Sequence, residues 1–246
     1  MPRKIRVKPR HISRNVKIIP KNSNHPRNSN SNVNIKNAHS FFGKESSHLL
    51  KDIIFVAYYT INTPYQQESE KLKESLEKFN LIYDIVGVND LGTWQANTRY
   101  KAKFLQEMLI KHKEKNLVYV DVDAIFNSVP ILFKDYSYDI GIRYQDFRWK
   151  QNECLSGTIF LSNNPKVMRL CKEWEKINVR EENNKSNLEQ WNLGAAIDLL
   201  KPSLQLSVVN IPPEYTFIFD SMKKLYPKVK PVIEHFQASR QNRYRR

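Results

Sequence analysis

Asp121 and Asp123 stand two residues apart at the end of the apolar run Leu117-Val118-Tyr119-Val120, and Ala124-Ile125-Phe126 follow them. Such a run predicts a buried strand that delivers two carboxylates to its C-terminal end. Alternation along a strand places residues i and i+2 on one face, so both carboxylates would share a face. Two like charges held there are costly unless something positive joins them. A divalent cation is the simplest such partner. Oxygen ligands suit Mg2+ or Mn2+, and a site with few protein ligands leaves positions for phosphate oxygens. The same spacing also serves turns and helix caps, so its meaning depends on the elements around it.

Those elements alternate. Asp52 to Tyr59 reads as a first parallel strand buried on both faces, with a polar stop at Thr60. The spacing of Leu72, Leu76 and Phe79 predicts a helix over 64–79. A strand over 81–88, a loop over 89–97 and a helix over 98–113 lead to the Asp-x-Asp strand. A short helical turn at 130–134 follows, then strands over 139–143 and 156–162, helices over 166–176 and 189–200, and a strand over 206–211. This order predicts an α/β fold, with a mixed, mostly parallel sheet flanked by helices. In open α/β sheets ligands bind at the carboxyl ends of the strands. Those ends carry Tyr59-Thr60, Val88-Asn89 and the Asp121/Asp123 pair.

The ordered set of a first strand, a Lys/Arg-bearing helix, Asp-x-Asp, a Ser-Gly strand, an acid-Gln helix and a late histidine resembles the GT-A nucleotide-diphospho-sugar glycosyltransferases over roughly residues 50–240. The resemblance implies a GT-A-like catalytic domain over 45–239 that takes a UDP-sugar as donor. Asp121 and Asp123 would hold Mn2+ or Mg2+ on the donor diphosphate, and His235 would complete the metal site. Tyr59 and Thr60 would meet the base and ribose. Lys101 first, and Arg99 second, would place a cation near the diphosphate or sugar, with Lys103 on the same helix. Ser156 and Gly157 would let the sugar approach the backbone, since Gly is needed where a Cβ would collide. Glu189 would act as base or nucleophile and Gln190 would steady the reacting centre, while Arg240 would neutralise the departing diphosphate. Asp146 and Glu153 are further candidates for the base that deprotonates an acceptor hydroxyl. The fuller His-x-x-Gly-x-x-Lys-Pro-Trp ending of the glycogenin-like branch is missing.

Charge is unevenly spread over the 246 residues, whose formal net charge is +15. Residues 1–44 carry eleven lysines and arginines and no acid, and residues 240–246 carry four arginines and no acid, which leaves 45–239 neutral. The first 44 residues lack hydrophobic periodicity and include Asn/Ser-rich text, so they read as a disordered basic arm, with 240–246 as a basic tail. Cationic arms are footprints for polyanions, nucleic acid first and an anionic membrane surface second. Two isolated cysteines, Cys154 and Cys171, suit a reducing, cytoplasmic or nuclear-type compartment, a viral protein in its host cell included. No stretch reaches the roughly 18 apolar residues of a membrane span, and no apolar signal core predicts secretion.

These arms point to DNA as acceptor. The expected reaction is addition of sugar to a hydroxymethylated base, which looks like the DNA-modifying enzymes of viruses and of the base J pathway. The base would be flipped from the stack. Trp94, Phe147 and Trp149 would support it, and Arg143, Arg148 and Lys150 would contact phosphate. Transfer to a protein, lipid or polysaccharide is the alternative. A two-metal nuclease would need a second carboxylate cluster, and none is visible. A non-enzymatic nucleic-acid-binding module would leave the Asp-x-Asp strand without a purpose.

Overall fold

The computed structural model describes residues 48–145, 153–184 and 186–238. The basic arm 1–44, the tail 240–246, Asp146, Phe147, Arg148, Trp149, Lys150 and Arg240 lie outside the described residues. The elements are β1 (Ile53–Thr60), α1 (Tyr65–Lys78), β2 (Tyr83–Val88), α2 (Trp94–Arg99), α3 (Lys101–Lys111), β3 (Asn116–Val120), β4 (Ala124–Phe126), β5 (Ile140–Tyr144), β6 (Cys154–Leu161), α4 (Pro165–Arg180), α5 (Glu189–Leu204), β7 (Val208–Asn210), β8 (Phe217–Ile218), α6 (Ser221–Leu225) and β9 (Ile233–His235). Short 3-10 turns at His48–Leu50, Ile131–Asp135 and Pro213–Tyr215 join them.

Six strands form the main sheet in the order β2-β1-β3-β6-β5-β7. β1 runs parallel to β2 and β3, and β5 runs parallel to β7. β6 is antiparallel to both of its neighbours, β3 and β5, so it alone opposes the common direction. β1 lies between two neighbours and buries both faces, which is why its sequence is a continuous apolar run. Alternation along β3 divides the interior. Leu117 and Tyr119 join Phe104, Leu105 and Trp174 under α3, α4 and α5. Val118 and Val120 join Phe55, Leu72 and Phe133 on the opposite face, under α1.

Local capping sets the helix starts. Thr93 Oγ1 accepts from Ala96 N at 3.0 Å, and Asn164 Oδ1 accepts from Val167 N at 3.0 Å. Pro165 follows Asn164 at the first helical position, where its missing N–H costs nothing. The Thr93 cap starts a helix at Trp94, so residues 94–97 are helical where the sequence predicts a loop.

The Asp-x-Asp pair departs from expectation in one respect. β3 ends at Val120, and Ala124 N donates to Asp121 O at 3.0 Å, so Asp121 and Asp123 occupy a turn. The turn, and not strand alternation, brings the carboxylates together. It also carries the chain out of the main sheet into β4. There β4 pairs antiparallel with β9, and β9 pairs parallel with β8, forming a second, three-stranded sheet.

Candidate active site

A cleft of about 430 Å³ opens where β1 and β3 end. Its floor holds Asp121, Asp123 and Gly157. One wall is the start of α5, with Leu188, Glu189 and Gln190; β8, β9 and the residues flanking them supply the other, with Thr216, Ile218, His235 and Gln237. Tyr59, Thr60 and Tyr65 line the end of β1, and Trp94 and Asn97 reach in from α2.

Lys101 is the electrostatic centre. It is only 3 % exposed, and its Nζ lies 3.0 Å from Asp121 Oδ1 and 2.9 Å from Glu189 Oε1. It also donates to Ser156 O and Ser156 Oγ, each at 3.1 Å. Burial disfavours its ammonium, but Asp121 and Glu189 outweigh that and hold its pKa above the ordinary lysine value. Asp121 is ringed by protein, although 38 % of its side chain stays open. Desolvation pushes its carboxyl up; Lys101, His235 and a 2.8 Å hydrogen bond from Tyr119 pull harder and hold it below the usual range. Glu189 goes the other way, because burial raises its pKa more than Lys101 and Ser156 lower it. Glu189 Oε1 accepts from both Lys101 and Ser156 Oγ, the latter at 2.7 Å, while Oε2 is buried without a hydrogen-bond partner.

The start of α5 is held from three sides. Trp174 Nε1 donates to Glu189 O at 2.9 Å, and Cys154 Sγ donates to Gln190 O at 2.9 Å. Glu153 Oε1 accepts from Gln190 Nε2 and Trp191 Nε1, each at 2.6 Å. Glu153 therefore braces the helix. Trp191 lies 45 % exposed, on the outer side of this brace.

One ligand atom from each of Asp121, Asp123 and His235 falls within 4.8 Å of the other two. His235 Nε2 is bound to Thr158 Oγ1 at 2.8 Å, whereas Nδ1 is buried, unpartnered, and 3.9 Å from Asp123 Oδ1. With the proton on Nε2, Nδ1 presents its lone pair beside two carboxylates. Asp123 Oδ2 accepts from Ala238 N at 2.8 Å, which leaves Oδ1 for the centre. A Cβ on Gly157 would lie 3.3 Å from Asp121 Oδ2 and 3.3 Å from His235 Cε1, so glycine keeps this space open. Among the described residues lining the cleft, three carboxylates, Asp121, Asp123 and Glu189, share one ammonium, that of Lys101. Two carboxylate oxygen donors and one imidazole within 4.8 Å of one another fit a dication such as Mn2+ or Mg2+.

Lys101, Asp121, Asp123, Ser156, Gly157, Glu189, Gln190, His235, Tyr59 and Thr60 thus converge on one cleft. Arg99 does not. Its guanidinium donates to Glu182 O and Asn184 O at 2.9 Å and to Asn187 O at 3.1 Å, so it ties down the segment leading into α5 instead of facing a donor. Lys103 is exposed beside Arg99, away from the cleft. Arg143 is no surface phosphate contact either: it is buried, and its Nη2 donates to Tyr226 OH at 2.8 Å. Residue types alone assign no role to Tyr119 or Thr216. Period-2 alternation back from Asp121 would have placed Tyr119 beside it, but no local signal marks Thr216.

A nucleotide-diphospho-sugar transferase family model matches residues 88–243. No curated protein sequence matches the chain. Among solved structures, the chain is similar to a glycosyltransferase involved in the glycosylation of the major capsid of PBCV-1, with 16% identity, 78% of this chain and 96% of that chain covered, and a TM-score of 0.61. It is also similar to the apo-form glycosyltransferase GlyE of Streptococcus pneumoniae TIGR4, with 14% identity, 75% of this chain and 54% of that chain covered, and a TM-score of 0.50. At these identities the likeness concerns the fold.

Proposed function

The chain belongs to the nucleotide-diphospho-sugar transferase family, and from that premise we propose that it moves the sugar of a UDP-sugar to a hydroxyl acceptor, with Mn2+ or Mg2+ at Asp121, Asp123 and His235. The observation that carries this reading is the buried, unpartnered Nδ1 of His235 facing both carboxylates across Gly157. A dication bound there supplies positive charge for the departing diphosphate.

The protein's own groups do the remaining work. Tyr119 and Lys101 hold Asp121 by Oδ1 and leave Oδ2 toward Gly157. Thr158 fixes the His235 ring. Tyr59 and Thr60, which line the cleft at the end of β1, would meet the base and ribose. Glu189 is held by Oε1 and keeps Oε2 for a hydroxyl of the donor sugar or of the acceptor. A carboxylate in so dry a place is a strong acceptor, which suits orientation of a hydroxyl or removal of its proton.

The acceptor we favour is a hydroxymethylated base in DNA. Its support is the unopposed cationic sequence of 1–44 and 240–246 around a neutral middle. Trp94 lines the cleft, where a flipped base would be received.

The test is nucleoside diphosphate release from individual UDP- and GDP-sugars in Mn2+, with and without hydroxymethylated duplex DNA. Release that DNA stimulates, and that Asp123→Ala abolishes while DNA binding survives, is the expected result. Release indifferent to DNA overturns the DNA acceptor and directs the search to proteins, lipids and glycans. No release from any donor, with or without chelator, overturns the donor and metal assignment.

A further inference from the structure

Among the described residues, three buried polar atoms on the cleft walls have no hydrogen-bond partner: Glu189 Oε2, His235 Nδ1 and Thr216 Oγ1. The first two have been given tasks above. Thr216 has none, and it is only 2 % exposed. Its backbone is satisfied, since Thr216 N donates to Pro213 O at 3.2 Å; the hydroxyl alone is left unpaired. A threonine usually settles this demand on a neighbouring carbonyl. A buried hydroxyl that does not is a cost to the free protein.

Its position says what it is for. Thr216 and Ile218 are i and i+2 and both line the cleft. Ile218 stands in register with His235 on the neighbouring parallel strand. Thr216 closes the Pro213–Tyr215 turn directly before β8 and lines the same cleft as His235. A hydroxyl is a donor as well as an acceptor. Beside a group of residues suited to a dication, the atom brought within its reach is an anionic oxygen, and an O–H···O⁻ bond is among the stronger hydrogen bonds.

We propose that Thr216 is a donor-binding residue whose Oγ1–H donates to a diphosphate oxygen of the nucleotide-sugar. The assignment rests on the donor reading above and adds a residue to it. It carries a two-sided signature. Thr216→Val keeps the shape and removes an unpaired hydroxyl, so the free protein should gain stability while the diphosphate loses a bond. A structural threonine would lose stability instead.

The experiment measures thermal unfolding of the free protein and calorimetric binding of UDP, GDP and uridine in Mn2+, for wild type, Thr216→Val and Thr216→Ser. Expected for Thr216→Val are a melting temperature about 2–6 °C higher and a nucleoside diphosphate Kd about 10-fold weaker. Its uridine affinity stays at the wild-type level, and Thr216→Ser restores diphosphate binding. A lower melting temperature, or a diphosphate Kd within about 2-fold of wild type, overturns the assignment and leaves the donor reading standing. Wild-type protein that binds neither UDP nor GDP overturns both.

Discussion

Replacing Lys101 by methionine keeps its bulk and removes the one ammonium shared by Asp121 and Glu189. Unit charges about 3 Å apart attract by roughly 5–6 kcal/mol at an effective dielectric near 20. Both pairs in Lys101 are that close, at 3.0 and 2.9 Å. The Asp121 share must be discounted, because that side chain is 38 % open to solvent, and the cost of desolvating the ammonium offsets part of the rest. Breaking such a buried set by removing one partner costs about 3–5 kcal/mol. In a domain of this size class that is a fall in melting temperature of roughly 6–20 °C. Differential scanning calorimetry in EDTA measures it directly. Mn2+ should return more stability to Lys101→Met than to wild type, because a dication replaces the missing charge beside Asp121. Adding Glu189→Gln should recover a further part by neutralising the other orphan. A melting temperature within about 2 °C of wild type in EDTA would refute the view that Lys101 holds these carboxylates together.

Gly157→Ala should fold normally and bind Mn2+ about 10-fold more weakly, because its Cβ would enter within 3.3 Å of Asp121 Oδ2 and 3.4 Å of His235 Nδ1; electron paramagnetic resonance titration reads the affinity. Asp139, at the opposite end of the sheet, contributes to stability against acid. Burial pushes its carboxyl up, but Ser207 N at 2.8 Å, Asn164 Nδ2 at 2.8 Å and Ser207 Oγ at 2.9 Å outweigh it and lower the pKa below the ordinary 3.8. A lowered folded pKa means stabilisation that is full above about pH 3.8 and is lost as pH falls through the folded value. Urea unfolding of wild type should weaken over that window, and the Asp139→Asn profile should be flatter there.

Much of this was legible from residue types. β1 and β3 were visible as apolar runs because central strands bury both faces, and α1 was visible because Leu72 and Leu76 lie one turn apart. Arg99 and Lys101 show where local reading stops. Two residues apart on a continuous helix they would point some 200° apart, so only one could face the cleft; periodicity does not say which, nor that the helix breaks between them at Tyr100. β4, β8 and β9 span three, two and three residues, too short for a period-2 pattern to register. They exist through pairing between distant segments. Thr216 was invisible for the same reason, since a hydroxyl matters here for what it fails to touch.

The turn after β3 has a consequence for how the protein comes into being. Asp123 Oδ2 accepts from Ala238 N across 115 positions of sequence, and β4 finds its partner only in β9. Chains leave the ribosome N-terminus first, so the two aspartates emerge long before His235. A nascent or prematurely stopped polypeptide ending before residue 233 carries the acidic pair but neither the imidazole nor the strand that seats it. The group formed by Asp121, Asp123 and His235 therefore assembles only once translation has passed β9.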